Sequence, residues 1–108
     1  GAAEDAKAAA LGDKGTILVL EALEEIIDLD VVDLSGNQLG KSPYFNDLTA
    51  SLCNFIKDRV EVLTSISLCE NNLRGANGEK ILRALSECYT LHYLYLSNNF
   101  LGVAQGNQ

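Results

Sequence analysis

Hydrophobic positions recur along the chain in three similar windows. The windows share the pattern L-x-x-[LIV]-x-L-x-x-N-x-L, and they read LDVVDLSGNQL (29–39), LTSISLCENNL (63–73) and LHYLYLSNNFL (91–101). Their asparagines are separated by 34 and then 28 residues. Self-similarity at a period of roughly 20 to 50 residues indicates an array of stacked structural units.

Each window contains a segment in which apolar positions alternate with others. Such alternation predicts a short strand with one buried face. Parallel neighbouring strands need a crossover connection, which is usually a helix. We therefore predict three parallel strands joined by helices. Two buried columns follow, namely Leu34, Leu68 and Leu96, and beside them Val32, Ile66 and Leu94.

The segments between the windows have apolar residues at helical spacing. We predict Ser42 as the N-cap of the first of these helices, with Pro43 at its first helical position, and Asn77 as the N-cap of the second. A further helix is predicted within 16–27, before the first strand. The first connection is six residues longer than the second, and we place the extra residues near 41–47 or 53–62.

The repeated pattern resembles the leucine-rich repeat, and the 28-residue spacing is similar to that of the ribonuclease-inhibitor-like class. The resemblance implies an α/β fold, a short right-handed solenoid or horseshoe segment with parallel strands on its concave face and helices on its convex face. We expect a flexible segment at 1–10 and a leucine-rich-repeat domain at 11–108. The predicted units are a partial unit and three repeats, the last of them truncated: 11–28, 29–62, 63–90 and 91–108.

The recurring asparagine has a structural interpretation. Where the chain leaves a strand, backbone groups lose their partners in the sheet and must find others. An amide side chain both donates and accepts hydrogen bonds. A column of Asn37, Asn71 and Asn99 can therefore satisfy these groups from one unit to the next, and we predict that these residues are structural.

The stretch DLSGNQLGKS (33–42) is similar to a phosphate-binding loop, because a hydrophobic run leads into Gly-Lys-Ser and then into a predicted helix. The repeat accounts for this stretch better. SGNQLG recurs as SNNFLG (97–102), and Ser35 stands where the phosphate loop needs glycine. We therefore predict no nucleotide and no other cofactor.

Strand residues that do not point inward form the concave face, where repeat proteins usually bind their partners. Two tyrosines lie on one predicted strand, and exposed aromatic residues with a polar group are favoured at interfaces. The alternative is that they only cover the sheet. The candidate partner-binding residues are Tyr93, Tyr95, Asp33, Ser67, Glu70 and His92.

Neither a catalytic set nor a metal site is identifiable in the sequence. Cys69 and His92 lie in adjacent predicted columns, but no third orienting group or oxyanion hole is evident. A zinc site needs clustered ligands, whereas Cys53, Cys69 and Cys88 are widely spaced. We expect reduced thiols, no enzymatic activity and a cytoplasmic location.

The net charge of −7 argues against a nucleic-acid partner, because eight scattered Lys and Arg residues supply no basic face. No apolar run approaches the roughly 18 residues of a membrane span, so we expect no membrane partner. Six acidic residues and no basic residue lie within 21–33. This segment is either a solvated face or a docking edge for a basic partner.

The function that we expect is non-enzymatic binding of a protein partner on the concave face, with a basic patch on that partner. The sequence leaves two alternatives open. One is a GTPase-regulating module resembling the activator of the Ran GTPase. The other is a structural segment that caps a longer solenoid or self-associates weakly, because strand 91–96 leaves an unpaired edge.

Overall fold

Helices and strands alternate in the computed structural model, which describes residues 10–102. The three strands form one parallel sheet in the order β1-β2-β3. The predicted α/β class with three parallel strands is confirmed, whereas the flexible segment predicted at 1–10 lies almost entirely outside the described residues. The elements are α1 (Gly12–Leu23), β1 (Val31–Asp33), α2 (Phe45–Lys57), β2 (Ser65–Ser67), α3 (Gly75–Ser86) and β3 (Tyr93–Tyr95).

One face of the sheet packs against the helices. Val32 pairs with Ile66, and Ile66 with Leu94, as the pattern predicts. The predicted burial of this column is wrong at Leu94, which is 41% exposed because no further unit covers it among the described residues. The core beneath this row contains residues from all three helices, among them Leu20, Leu52 and Ile81. Because strand side chains alternate between the two faces, the residues on either side of this row point away from the core. The helices therefore cover one face of the sheet and leave the other open.

The first two helices begin at other residues than the sequence predicts. Helix α1 spans Gly12–Leu23 rather than lying within 16–27. Helix α2 has Tyr44 as its N-cap residue, so Ser42 and Pro43 both precede the helix. The Ser42 hydroxyl accepts a hydrogen bond from the Tyr44 N–H at 3.0 Å. It therefore caps the turn before α2, and the prediction that it caps the helix itself is wrong.

The predicted N-cap of the last helix is also wrong. Helix α3 begins at Gly75, after Arg74 as the N-cap residue, so Asn77 lies within the first turn. The Asn77 amide instead donates to Asn46 Oδ1 at 2.8 Å. This bond joins the first turns of α2 and α3, and it is a contact that no local pattern indicates.

The extra residues of the first connection lie mainly between β1 and α2, where the loop spans 34–44; the equivalent loop between β2 and α3 spans 68–74. Asp13, in the first turn of α1, holds the longer loop. Its buried carboxylate accepts hydrogen bonds from the Gly40 N–H and from the N–H and hydroxyl of Ser42. Gly40 is required, since at φ +94° a Cβ would lie 2.3 Å from the Asn72 carbonyl oxygen.

The same contacts explain the similarity to a phosphate-binding loop. Successive backbone N–H groups in such a loop form a concavity that binds an anion. Here the donors of Gly40 and Ser42 converge on the Asp13 carboxylate at 2.7–3.1 Å. The loop therefore does hold an anion, but this anion is a side chain of the same protein.

The predicted asparagine column is confirmed most clearly at Asn71, which is buried. Its Oδ1 accepts hydrogen bonds from the N–H groups of Asn37 and Leu39, each at 3.0 Å. Its Nδ2 donates to the carbonyl oxygens of Leu34 and Leu68, also at 3.0 Å. One side chain thus satisfies backbone groups of its own unit and of the unit before it.

The contact between a leucine N–H and the next asparagine recurs along the chain. The Leu73 N–H donates to Asn99 Oδ1, and the Leu11 N–H donates to Asn37 Oδ1. Leu11 therefore occupies the position that Leu39 and Leu73 have in the later units. The partial unit before β1 uses the same backbone contact as the complete ones.

Candidate functional site

The open face of the sheet is formed by the outward side chains of the three strands. Tyr93 and Tyr95 on β3 are 60% and 50% exposed, whereas the two serines of β2 are half-buried. Because serine is short and tyrosine is long, β2 forms the floor of a shallow channel with the tyrosines along one side. The term open face is used below for six residues: Val31, Asp33, Ser65, Ser67, Tyr93 and Tyr95.

The sheet register brings four of the six candidate residues together. Asp33, Ser67 and Tyr95 align in one row across the three strands, with neighbouring strands about 4.8 Å apart. Tyr93 lies two positions before Tyr95 on the same face, about 7 Å away along the strand. A single bound segment can therefore contact a carboxylate, a hydroxyl and two phenol groups.

Asp33 is fixed by Ser35, a residue that the sequence interpretation did not select. Ser35 donates to Asp33 Oδ1 from its N–H at 2.9 Å and from its hydroxyl at 2.6 Å. These two bonds hold the pKa of the Asp33 carboxyl below its usual value, so the group is ionised at neutral pH. The Asp-x-Ser spacing is typical of an Asx turn, and it is the signal that would have identified Ser35.

The same hydroxyl links the first two units. Ser35 Oγ lies 2.6 Å from Ser67 Oγ. Since Ser35 gives its only hydroxyl proton to Asp33, Ser67 is the donor in this contact. The carboxylate of Asp33 is thus anchored through two serines to the floor of the channel, and its position is set before any partner binds.

A cysteine continues the channel beyond the strand ends. The Ser97 hydroxyl donates to Cys69 Sγ at 3.3 Å. This hydrogen bond from Ser97 holds the pKa of the Cys69 thiol below its usual value. Cys69 is half-buried and is not in a disulfide, so this side of the open face ends in a polar, ionisable thiol.

Glu70 and His92 lie at opposite ends of the strands. The Glu70 N–H donates to the Ser97 carbonyl oxygen beyond the carboxyl end, and the His92 N–H donates to the Thr64 carbonyl oxygen before the amino end. Six positions along the sheet separate these two rows, which corresponds to a distance on the order of 20 Å. The His92 ring lies beside the Tyr93 ring, with the two centroids 6.4 Å apart. His92 therefore borders one end of the group formed by Asp33, Ser67 and the two tyrosines, whereas Glu70 lies beyond the other end of the strands.

The pair of Cys69 and His92 considered from the sequence is not formed. His92 aligns with Thr64, whereas Cys69 aligns with Ser97. Five positions separate Thr64 from Cys69, a distance on the order of 16 Å. The sequence comparison had placed the two residues in adjacent columns without counting positions along the strands.

A second surface, which the sequence interpretation did not select, is a groove of about 490 Å³ between α2 and α3. Lys57 and Lys80 line it, as does Thr49, whose buried hydroxyl has no hydrogen-bond partner among the described residues. Cys53 also lines the groove, and burial raises the pKa of its thiol. The two lysines are on different helices, so only the stacking of the helices brings them together.

Known proteins do not add to this description. No protein-family model, curated protein or solved structure matches the chain. Within residues 10–102, no group of three or more His, Cys, Asp or Glu side chains is arranged to hold a metal ion. Over the same range, no helix is both long and apolar enough to cross a membrane. The function is therefore inferred from the geometry of the open face.

Proposed function

We propose that this chain is a non-enzymatic module that binds a protein partner on its open face in the cytoplasm. In this proposal the units stack as a short right-handed leucine-rich-repeat solenoid, with the open face as its concave side and the helices on its convex side. The observation that carries the proposal is the pair of exposed tyrosines, Tyr93 and Tyr95, on the face that also presents Asp33 and Ser67.

The chemistry of the open face defines the partner. Tyrosine supplies a large contact area with a polar end, and it loses little conformational entropy when it is bound. Asp33 is ionised and held in place by Ser35, so it suits a lysine or arginine of the partner. The channel over Ser67 leaves room for an extended segment. We therefore expect the partner to present an extended segment with an apolar or aromatic side chain beside a basic one.

The test compares what three immobilised proteins retain from a cell lysate, with retention quantified by mass spectrometry. They are the wild type, the double variant Tyr93→Ala/Tyr95→Ala, and Tyr89→Ala as a matched control. Tyr89 is 70% exposed but lies in the turn after α3, where its hydroxyl donates to Glu61. Circular dichroism first establishes that all three proteins are folded.

We expect a protein that the wild type and Tyr89→Ala both retain to be lost roughly tenfold or more from the double variant, as for truncation of interface anchors. Asp33→Lys should then weaken retention of that same protein, and the effect should be largest at low salt. Equal retention by all the variants would contradict the proposal, because the tyrosines would then make no contribution to binding.

A further inference from the structure

The outer edge of β3 has no neighbouring strand among the described residues, since β3 pairs with β2 alone. Tyr93 and Tyr95 direct their backbone groups toward β2: the Tyr93 N–H donates to Thr64, and the Tyr95 carbonyl oxygen accepts from Leu68. The N–H and C=O of Leu94, between them, therefore point to the outer edge. Unpaired groups of this kind are a template for another strand.

The side chain of Leu94 is uncovered as well. Leu94 aligns with Val32 and Ile66 in the sheet. Those two residues are 5% and 0% exposed, but Leu94 is 41% exposed. Phe100, in the turn after β3, is 51% exposed. A position that has the pattern of a core residue is thus in contact with solvent.

This edge also lacks the charges that protect most edge strands. Residues 91–101, which contain β3 and the turn after it, include no Asp, Glu, Lys, Arg or Pro. Natural proteins commonly place such residues on exposed strand edges to prevent pairing. The six acidic residues within 21–33 precede or belong to β1, at the opposite edge of the sheet. Two copies that meet at β3 therefore keep their acidic segments apart.

We propose that β3 pairs with β3 of a second copy of this chain, in antiparallel orientation about a two-fold axis at Leu94. The sequence Tyr93-Leu94-Tyr95 reads the same in both directions, so Leu94 faces Leu94 of the second copy and Tyr93 faces Tyr95 of the second copy. The two facing leucines exchange both of their backbone hydrogen bonds. Such a contact is closed and ends at the dimer, with a six-stranded sheet and four tyrosines on one open face.

Sedimentation velocity from low to high micromolar concentration, in reducing buffer, tests the dimer. The mass of the wild type should rise from 11.6 kDa toward twice that value. Leu94→Lys places two ammonium groups face to face at the axis and should raise the dimer dissociation constant roughly tenfold or more. The matched control is Leu18→Lys on α1, where the leucine is 62% exposed, and it should dimerise like the wild type.

Three outcomes of this experiment would overturn the proposal. They are a wild type that stays at 11.6 kDa at every concentration, an equal effect of Leu94→Lys and Leu18→Lys, and a mass that grows beyond the dimer. Circular dichroism of both variants separates loss of pairing from loss of folding. Because Leu94 is already partly exposed, a lysine at this position is expected to leave the fold intact.

A cross-linking measurement tests the proposed register between the two β3 strands. It uses a Cys53→Ser/Cys69→Ser background, which removes the two partly exposed thiols. Leu94→Cys brings two thiols to a Cα separation of about 5.5 Å, which a disulfide can span. Dioxygen with a copper catalyst should therefore give a covalent dimer. Tyr95→Cys is the control, because its two copies lie on a diagonal about 7–8 Å apart and should not cross-link. Cross-linking of Tyr95→Cys alone, or of neither variant, would overturn antiparallel pairing at Leu94.

Discussion

The core is covered to different degrees beside the two edge strands of the sheet, β1 and β3. Val32 on β1 and Leu94 on β3 have the same register in the sheet, but Val32 is 5% exposed and Leu94 is 41% exposed. The difference arises because α1 and the turn after it cover the core beside β1, through Leu20, Leu23 and Leu29. Among the described residues nothing covers the core in the same way beside β3.

Polar contacts also close the β1 end. Arg59 is buried, and its Nη2 donates to the carbonyl oxygens of Leu23 and Ile26 at 2.9 and 3.0 Å. Its positive charge thus meets the carboxyl end of α1, where the helix dipole is negative. The guanidinium also lies 4.0 Å from the centroid of the Phe55 ring. Arg59, in the turn after α2, therefore binds the last turn of α1.

The asparagine contacts show what this difference means for stability. The N–H groups of Leu11, Leu39 and Leu73 each donate to the asparagine of the next unit. Leu101 occupies the next equivalent position, and the described residues contain no further asparagine that accepts from it. In stacked repeats, stability comes from each unit and from its interfaces with its neighbours. The middle unit should therefore be the most stable and the β3 end the least.

The largest expected effect is that of Asn71→Ala, which should lower the free energy of unfolding by about 4 kcal/mol. It leaves the buried N–H of Leu39 and the part-buried N–H of Asn37 without an acceptor, and it removes bonds to two carbonyl oxygens. The matched Asn99→Ala should cost about 2 kcal/mol, because water can replace part of its contacts. Urea unfolding followed by circular dichroism measures both variants. Equal losses would contradict a weaker β3 end.

The repeating parts of the fold were the parts that the sequence could predict. One pattern in three windows determines the strand register and the asparagine contacts, so each window supports the others. The helix starts were not predictable in this way. Ser42 and Asn77 are good N-cap residues locally, but their side chains bind Asp13 and Asn46, which are 29 and 31 positions away. Such contacts depend on how the units stack.

For the candidate site, the sequence predicted residues but not their grouping. Tyr93 and Tyr95 were selected from their strand pattern, and the structure places both on the open face. His92 was selected with them but lies before the strand. Asp13 and Arg59 were missed, because their backbone partners are 27 and 36 positions away. No local pattern marks a charged residue that becomes buried only when distant segments meet.

The next largest effect is the loss of stability when either of two aligned residues is truncated. These residues are Ile66 in the middle strand and Leu94 on the edge strand β3. Ile66→Ala should lower the free energy of unfolding by about 3 kcal/mol, because it creates a cavity in a fully buried site. Leu94→Ala should cost only about 1 kcal/mol, because its side chain is already partly in water. Thermal and urea unfolding of dilute protein give both values. A larger loss for Leu94→Ala would indicate that the β3 end is covered in solution.

A smaller effect concerns the residue just before each asparagine. Gly36, Glu70 and Asn98 share this position and have positive φ angles of 65°, 57° and 61°. The left-handed conformation costs most residues about 1 kcal/mol or more, but glycine and asparagine adopt it readily. Glu70→Gly should therefore raise the free energy of unfolding by about 0.5–1 kcal/mol. Asn98→Gly is the control and should change it little. Destabilisation by Glu70→Gly would show that the glutamate side chain makes a compensating contact.

The smallest effect is the titration of Asp33, on the strand at the closed end. Because its folded-state pKa is lowered by Ser35, the contribution of Asp33 to stability is present above the ordinary aspartate pKa of about 4 and is lost as the pH falls through the lowered value. Carboxyl resonances in NMR should show wild-type Asp33 titrating below an ordinary aspartate. Ser35→Ala keeps the N–H bond but removes the hydroxyl bond, so the pKa should rise toward its usual value. Ser97→Ala, at the other end of the sheet, should leave it unchanged. If Ser35→Ala also left it unchanged, the hydroxyl would not bind the carboxylate, and the backbone N–H alone would hold Asp33 on the open face.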